Sequence, residues 1–257
     1  DYDEASDYMK FVRFITYGRK EDRLFISVNS LRPSTIGHGM IVNAYQPNIG
    51  INKSMTGLLF DAYNDYGGFQ FQANDITFQN RVIGGLAFIK PASLFSDHWF
   101  AKGFSIGLEY MADFAAPRCI KTREFGNCIR PSQLEIQGEA LNPDTFFNDQ
   151  GLPYVETQKV EALGLSVETK VAKLDNLVDF KLYATHHQFT NDGGGSGTAL
   201  GGLARLNYGT SWIAALRLRG ELLTYENGFL PGYFNATYEA DKYSFRTVEA
   251  NQSLYLT

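Results

Sequence analysis

The strongest constraint on this chain is a one-by-one alternation of apolar and polar residues that recurs along most of its length. From Trp212, the residues Trp212, Ala214, Leu216, Leu218 and Leu222 share one parity, and Arg217, Arg219 and Glu221 share the other. Successive side chains of a β-strand point to opposite faces, so such a segment is apolar on one face and charged on the other. Leu200, Ala204, Leu206 and Tyr208 likewise oppose Arg205 and Asn207. Val178, Phe180, Leu182 and Ala184 oppose Asp179, Lys181, Tyr183 and Thr185. Leu163, Leu165 and Val167 oppose Gly164, Ser166, Glu168 and Lys170. The same holds for Phe104–Tyr110 against Ser105, Gly107 and Glu109, for Leu134 and Ile136 against Glu135 and Glu139, and for Phe69 and Phe71 against Gln70 and Gln72. Helical periodicity is hard to find, which makes this an all-β, antiparallel chain.

The polar face is unusually heavy in charge for a soluble sheet, and small residues (Gly107, Gly164, Ser166, Gly201) break it up. Aromatic residues stand near strand ends at Tyr17, Tyr45, Tyr63, Trp99, Phe100, Tyr110, Tyr154, Tyr208 and Trp212, where they suit interfacial girdles. Connections alternate in length. Leu174–Asn176 and Gly209–Ser211 are short, whereas Thr190–Thr198 and Tyr225–Ala236 are long. Short turns at one end and long loops at the other are the layout of an antiparallel transmembrane β-barrel. The chain has length for roughly 12 to 14 strands at about 10 residues each. A single domain over 1–257 is expected, with 113–131 as a long cysteine-containing connection that fits the alternation of lengths poorly.

Composition narrows the function. The 257 residues carry a net charge of −5, and an acidic chain lacks the basic patch that a nucleic-acid partner requires. Cys119 and Cys128 are the only cysteines. They are candidates for one local disulfide in an oxidising compartment, with two free thiols as the other option. Neither has the neighbours of a zinc site. The start, DYDEASDY, has no charged-then-apolar leader, so any signal peptide is expected to have been removed.

Few residues invite a catalytic reading. His38 lies in STIGHGMIVNAY between Gly37 and Gly39, with no carboxylate or thiol at ligand spacing on its segment. The two glycines read as a backbone device that permits positive φ or close approach, and Tyr45 as a girdle residue beyond it. His186 and His187 are adjacent, face opposite ways on a strand and cannot share a metal; they read as an exposed polar pair near a loop. His98 reads as a loop residue. GGGSGT holds Gly194, Ser196 and Gly197 without the strand–turn–helix context of a nucleophile elbow. NDYGG and TNDGGG lack the ligand periodicity of a calcium loop and read as turns. No catalytic residue, metal or cofactor is expected.

Two stretches carry a resemblance. SLRPSTIGHGMIVNAYQPN, followed by GGFQFQANDI and VIGGLAFIKP, resembles a poorly characterised porin-like group of outer-membrane β-barrels from predatory and gliding Gram-negative bacteria of the myxobacterial and bdellovibrio type. Its T-x-G-H-G-x-x-x-x-x-Y step is matched by Thr35, Gly37, His38, Gly39 and Tyr45, and its P-G-Y-F-x-x-x-Y-E stretch by Pro231, Gly232, Tyr233, Phe234, Tyr238 and Glu239. The resemblance covers about half the chain and implies location and fold rather than an activity. Such barrels usually end on an aromatic residue. NQSLYLT ends at Thr257 instead, so the expectation is either an internal portion of a longer barrel or a barrel whose last strands are absent, and the strand count is taken as a lower bound.

Together these readings give an outer-membrane β-barrel that is not an enzyme. The leading expectation is a porin-like conduit for small polar solutes, lined by Glu168, Lys170, Asp179, Lys181, Arg205, Arg217, Arg219 and Glu221. An open lumen and one filled by charges that pair with one another fit these residues equally. The alternatives are a structural anchor whose loops bind envelope proteins, and a soluble carbohydrate-binding β-sandwich. Outer-membrane lipid and lipopolysaccharide are the expected partners, with no nucleic acid.

Overall fold

The structure, a computed structural model, describes residues 14–20, 22–29, 33–47, 55–76, 82–120, 155–174, 177–191, 194–208 and 214–242. Ten strands form one antiparallel sheet in which each strand pairs with the sheet strands before and after it along the chain. They are β1 (Phe14–Tyr17), β2 (Leu24–Asn29), β4 (Gly57–Tyr63), β5 (Gly67–Ala73), β6 (Val82–Ile89), β7 (Ser105–Ile120), β8 (Val155–Leu174), β9 (Val178–Phe189), β10 (Ser196–Tyr208) and β11 (Ala214–Tyr225). Two short strands, β3 (Val42–Asn43) and β12 (Phe234–Asn235), pair in parallel away from that sheet. Ten sheet strands among the described residues is fewer than the 12 to 14 expected. β1 and β11 are its two ends, with no pairing between them among those residues. The strand expected around Leu134–Ile136, together with Tyr154, Trp212 and Cys128, lies outside the described residues.

The expected connection over 113–131 is corrected: residues up to Ile120 continue β7, which pairs with β8 as far as Ile120↔Val155. The register shifts twice there, between Asp113 and Ala116 and between Pro117 and Cys119. Each bulge puts an extra residue on one strand and spoils simple alternation, and Pro117 has no N–H to give the ladder. Thr190–Thr198 is likewise shorter as a loop than expected, since β10 starts at Ser196.

Polarity across the sheet is inverted relative to a soluble protein. On one face Leu165, Leu200, Leu218 and Leu222 are 58%, 55%, 52% and 76% exposed. On the other face Asp61, Gln72, Glu109, Asp113, Thr185 and His187 are buried. The registers keep each set on its own face from β2 to β11. The polar face is covered from within the chain by two segments, Ser34–Tyr45 and Phe229–Lys242. Ile36, Met40, Ile41, Tyr45, Phe229, Phe234 and Tyr238 pack there against Val82, Met111, Ala162, Phe189 and Ala199 of the strands.

The sheet curls around this filling. The Gly37 N–H donates to Gln70 Oε1 of β5 at 3.3 Å, and Arg219 of β11 donates to the carbonyl oxygen of His38. Six strand steps would set β5 and β11 about 29 Å apart in a flat sheet. Two ordinary side chains can grip one dipeptide from those strands only if the sheet wraps round it, so the covered face is concave.

Small residues on this inner face make room for large polar ones to lie flat. A Cβ on Gly164 would meet the His187 ring at 2.0 Å, and one on Gly201 would meet the Tyr183 ring at 2.2 Å. Gly164→Val is therefore expected to lower stability by about 1–3 kcal/mol through overpacking. Gly220→Val, whose Cβ meets nothing within 4 Å, is expected to leave stability unchanged. Urea midpoints of the two variants check the pair.

Candidate functional site

The inner segment begins at an isolated antiparallel bridge, Ser34↔Tyr45, which closes it into a loop directed at the concave face. Gly37 and Gly39 both take positive φ, 54° and 77°, in the left-handed region that side chains with a Cβ disfavour. This is the backbone device expected of them. The space is equally restrictive at Gly37, where a Cβ would stand 2.3 Å from Glu109 Oε1.

The two glycines aim His38 at the sheet. Its ring stacks on Tyr183, with centroids 3.8 Å apart and planes 3° off parallel, and Nε2 lies 3.5 Å from Glu168 Oε2. Burial holds the imidazole below its ordinary value of 6.5. The Glu168 and Glu109 carboxylates offset part of that, while Arg219 and Lys181 reinforce it. His38 is thus a docking residue as well as part of a glycine step, a role that Gly-His-Gly alone does not reveal.

Tyr45 is corrected from a girdle residue to an interior one. It is 2% exposed, and its hydroxyl donates to Glu239 Oε1 at 2.5 Å. Burial, with Glu239 beside it, pushes the phenol well above its usual value. The rest of the second motif converges on the same place. Gly232 N–H donates to Met40 O at 2.8 Å and Phe234 N–H to Ile41 O at 3.0 Å. Tyr238 donates to Asp113 Oδ2 at 2.8 Å, and Lys242 pairs with Glu239 at 2.7 Å. Rings of Tyr45, Tyr233, Phe234 and Tyr238 lie 4.9 to 6.5 Å apart. The two motifs therefore build one inner module.

The charged residues expected to line a lumen share the concave face. Lys170 pairs with Asp179 at 2.9 Å, Lys181 with Glu168 at 2.8 Å, and Arg219 with Glu221 at 2.9 Å. Tyr183 links the last pair to the His38 stack: it donates to Glu221 at 2.9 Å and accepts from Arg219 Nε at 3.0 Å. Arg205 and Arg217, direct cross-strand partners, are exposed. Lys170, Asp179, Lys181, Arg205, Arg217 and Arg219 border a cleft of about 470 Å³ at the short-turn end. The concave side is thus filled toward the long loops and hollow toward the short turns.

The structure corrects the expectation for His187. His187 is 1% exposed, not an exposed loop neighbour, and it meets Glu109 across the sheet at 2.9 Å. A carboxylate only accepts, so Nε2 carries the hydrogen of this bond. The signal was present in the parity that His187 shares with Lys181 and Tyr183. His186 faces out and bonds Thr198 Oγ1 at 2.9 Å. His98 accepts from Phe100 N–H at 3.4 Å and caps the short helix Trp99–Gly103. At that same end Ile89, Leu94, Phe95 and Phe100 are exposed. The Cys119–Cys128 pairing cannot be followed, because Cys128 lies outside the described residues. No group of three or more His, Cys, Asp or Glu among the described residues is placed to hold a metal ion.

Searches against protein-family models, curated proteins and solved structures find no match for this chain.

His38 supplies a pH test. A group held below its ordinary pKa when folded resists protonation only in the folded state. Its stabilising effect is full above 6.5 and fades as pH falls from there toward the folded value. The hydrogen-exchange protection of residues 34–45, taken relative to the intrinsic amide rate at each pH, is expected to fall on going from pH 7.5 to about pH 5. His38→Phe, which keeps a ring on Tyr183, is expected to flatten that dependence. An unchanged profile in the variant would remove His38 as its source.

Proposed function

We propose that this chain is an integral outer-membrane β-barrel protein of Gram-negative type, acting as a conduit for small polar solutes whose path the inner module narrows. The observation that carries the reading is the inverted polarity. Leucines at 52% to 76% exposure on an outer face need an apolar solvent, while buried Glu109, Asp113 and His187 need a polar interior. In lipid, a sheet has to satisfy its backbone hydrogen bonds internally, which favours a closed barrel. Strands of 12 to 20 residues from β7 to β11 exceed the 9–11 residues needed for a tilted crossing. Ile89, Leu94, Phe95 and Phe100 then suit the interface at the short-turn end. The resemblance to porin-like barrels of predatory and gliding bacteria agrees with this placement. A soluble sandwich has the opposite requirement, with its apolar face inside.

The charged cleft supports transport. The hydrogen-bonded module on the other half of the concave face favours a second reading, a plugged barrel that anchors partner proteins through its loops.

Two measurements test the proposal. The folded chain is expected to need detergent and to migrate differently on gels before and after boiling; a folded chain soluble in plain buffer overturns the membrane reading. In planar bilayers, discrete conductance steps are expected. They should grow when Arg219→Ala removes the Arg219 bond to the His38 carbonyl. Correctly folded protein without steps leaves the anchor reading in place of the conduit.

A further inference from the structure

We propose that the cleft at the short-turn end of β8–β11 is a binding site for a small soluble oxyanion of the phosphate class. The proposal deepens the conduit reading and rests on it only for the route by which the anion arrives.

The registers set the concave-face charges in three rows across four strands. The deepest row holds Glu168 and Glu221. The next holds Lys170, Lys181 and Arg219. The outermost holds Lys173, Asp179, Arg205 and Arg217. Each of the three carboxylates already has a cation: Lys181 on Glu168, Arg219 on Glu221 and Lys170 on Asp179. Lys173, Arg205 and Arg217 are left with no ion pair among the described residues, so positive charge is concentrated at the opening.

Arg205 and Arg217 are directly opposed. Like charges in that position destabilise a strand pair, and both side chains are exposed, so packing does not account for them. Two guanidinium groups offer forked N–H donors and no acceptor, which matches an oxyanion able to take bonds from both. An anion between them would turn a repulsion into a bridge. The cleft of about 470 Å³ suits a small phosphorylated molecule rather than a macromolecule. Its charged residues all lie on the concave side, while Ala204 and Leu218 of the apolar outer face also border the cleft, so titration with a phospholipid is what separates a soluble anion from a lipid headgroup. The surplus positive charge would also raise the local anion concentration at the opening, an effect that salt screens.

The test is calorimetric titration of the whole chain, folded in uncharged detergent, with inorganic phosphate. Parallel titrations use phosphatidylglycerol micelles. Saturable phosphate binding is expected, weakening as sodium chloride rises. It should fall tenfold or more in the double variant Arg205→Gln/Arg217→Gln and stay unchanged in Arg118→Gln, an exposed position on β7 at the other end. Heat-modifiable migration confirms that each variant is folded. Absent phosphate binding, equal binding by the double variant, or binding of phosphatidylglycerol alone would each overturn the proposal. Phosphate binding without conductance keeps the site and removes the conduit; conductance without phosphate binding does the reverse.

Discussion

The contact on which the rest depends is the grip of the sheet on one dipeptide. Gln70 holds the amide of Gly37, and Arg219 holds the carbonyl of His38. Between them, Tyr183 stacks on the imidazole and Glu168 stands at 3.5 Å from it. The inner face carries carboxylates, amides and imidazoles out of bulk water, where an unpartnered polar group costs about 1–3 kcal/mol. The inner segment supplies several of the missing partners. It can do so only because Gly37 and Gly39 accept positive φ and the inner-face glycines leave the space into which rings lie down. Curvature, packing and the arrangement of charge follow from that fit.

The filling divides the concave side by chemistry. Toward the long loops it is aromatic, with phenols closing onto Glu239 and Asp113. Toward the short turns it is ionic, and three ion pairs leave an excess of cations. Pairing buried charges rarely adds net stability, since desolvation offsets most of the attraction.

Much of this was legible in the sequence because strand parity is a simple code. The apolar and charged faces of β8 to β11 follow from alternation alone, as do the opposed orientations of His186 and His187. Legibility failed where the code is interrupted. The two bulges and Pro117 hid the far half of β7, and a connection was read in its place. Parity also does not say what covers a face. Tyr45 was read as a girdle residue because tyrosine suits an interface, yet its position is decided by Glu239, 194 residues further along the chain. The burial of His187 depends on Glu109, 78 residues before it, and no local pattern joins them. The two motif stretches lie far apart in the sequence, and their meeting in one module is a tertiary fact.

That meeting bears on the order in which the molecule can be assembled. Each rung of the ten-stranded sheet joins successive sheet strands along the chain, so the ladder can zip up step by step, most of its closures being short and the β2–β4 and β7–β8 closures longer. The β3–β12 bridge, by contrast, pairs Val42 with Phe234, and its loop-closure entropy has to be met before its contacts are gained. The inner module thus works as a late latch: the first motif gains its bonds from the Gly232 and Phe234 amides only after nearly the whole described chain has been laid down. A truncated or stalled chain would keep its early hairpins yet lack the latch, which makes completion of the fold a readout of the presence of the distal segment.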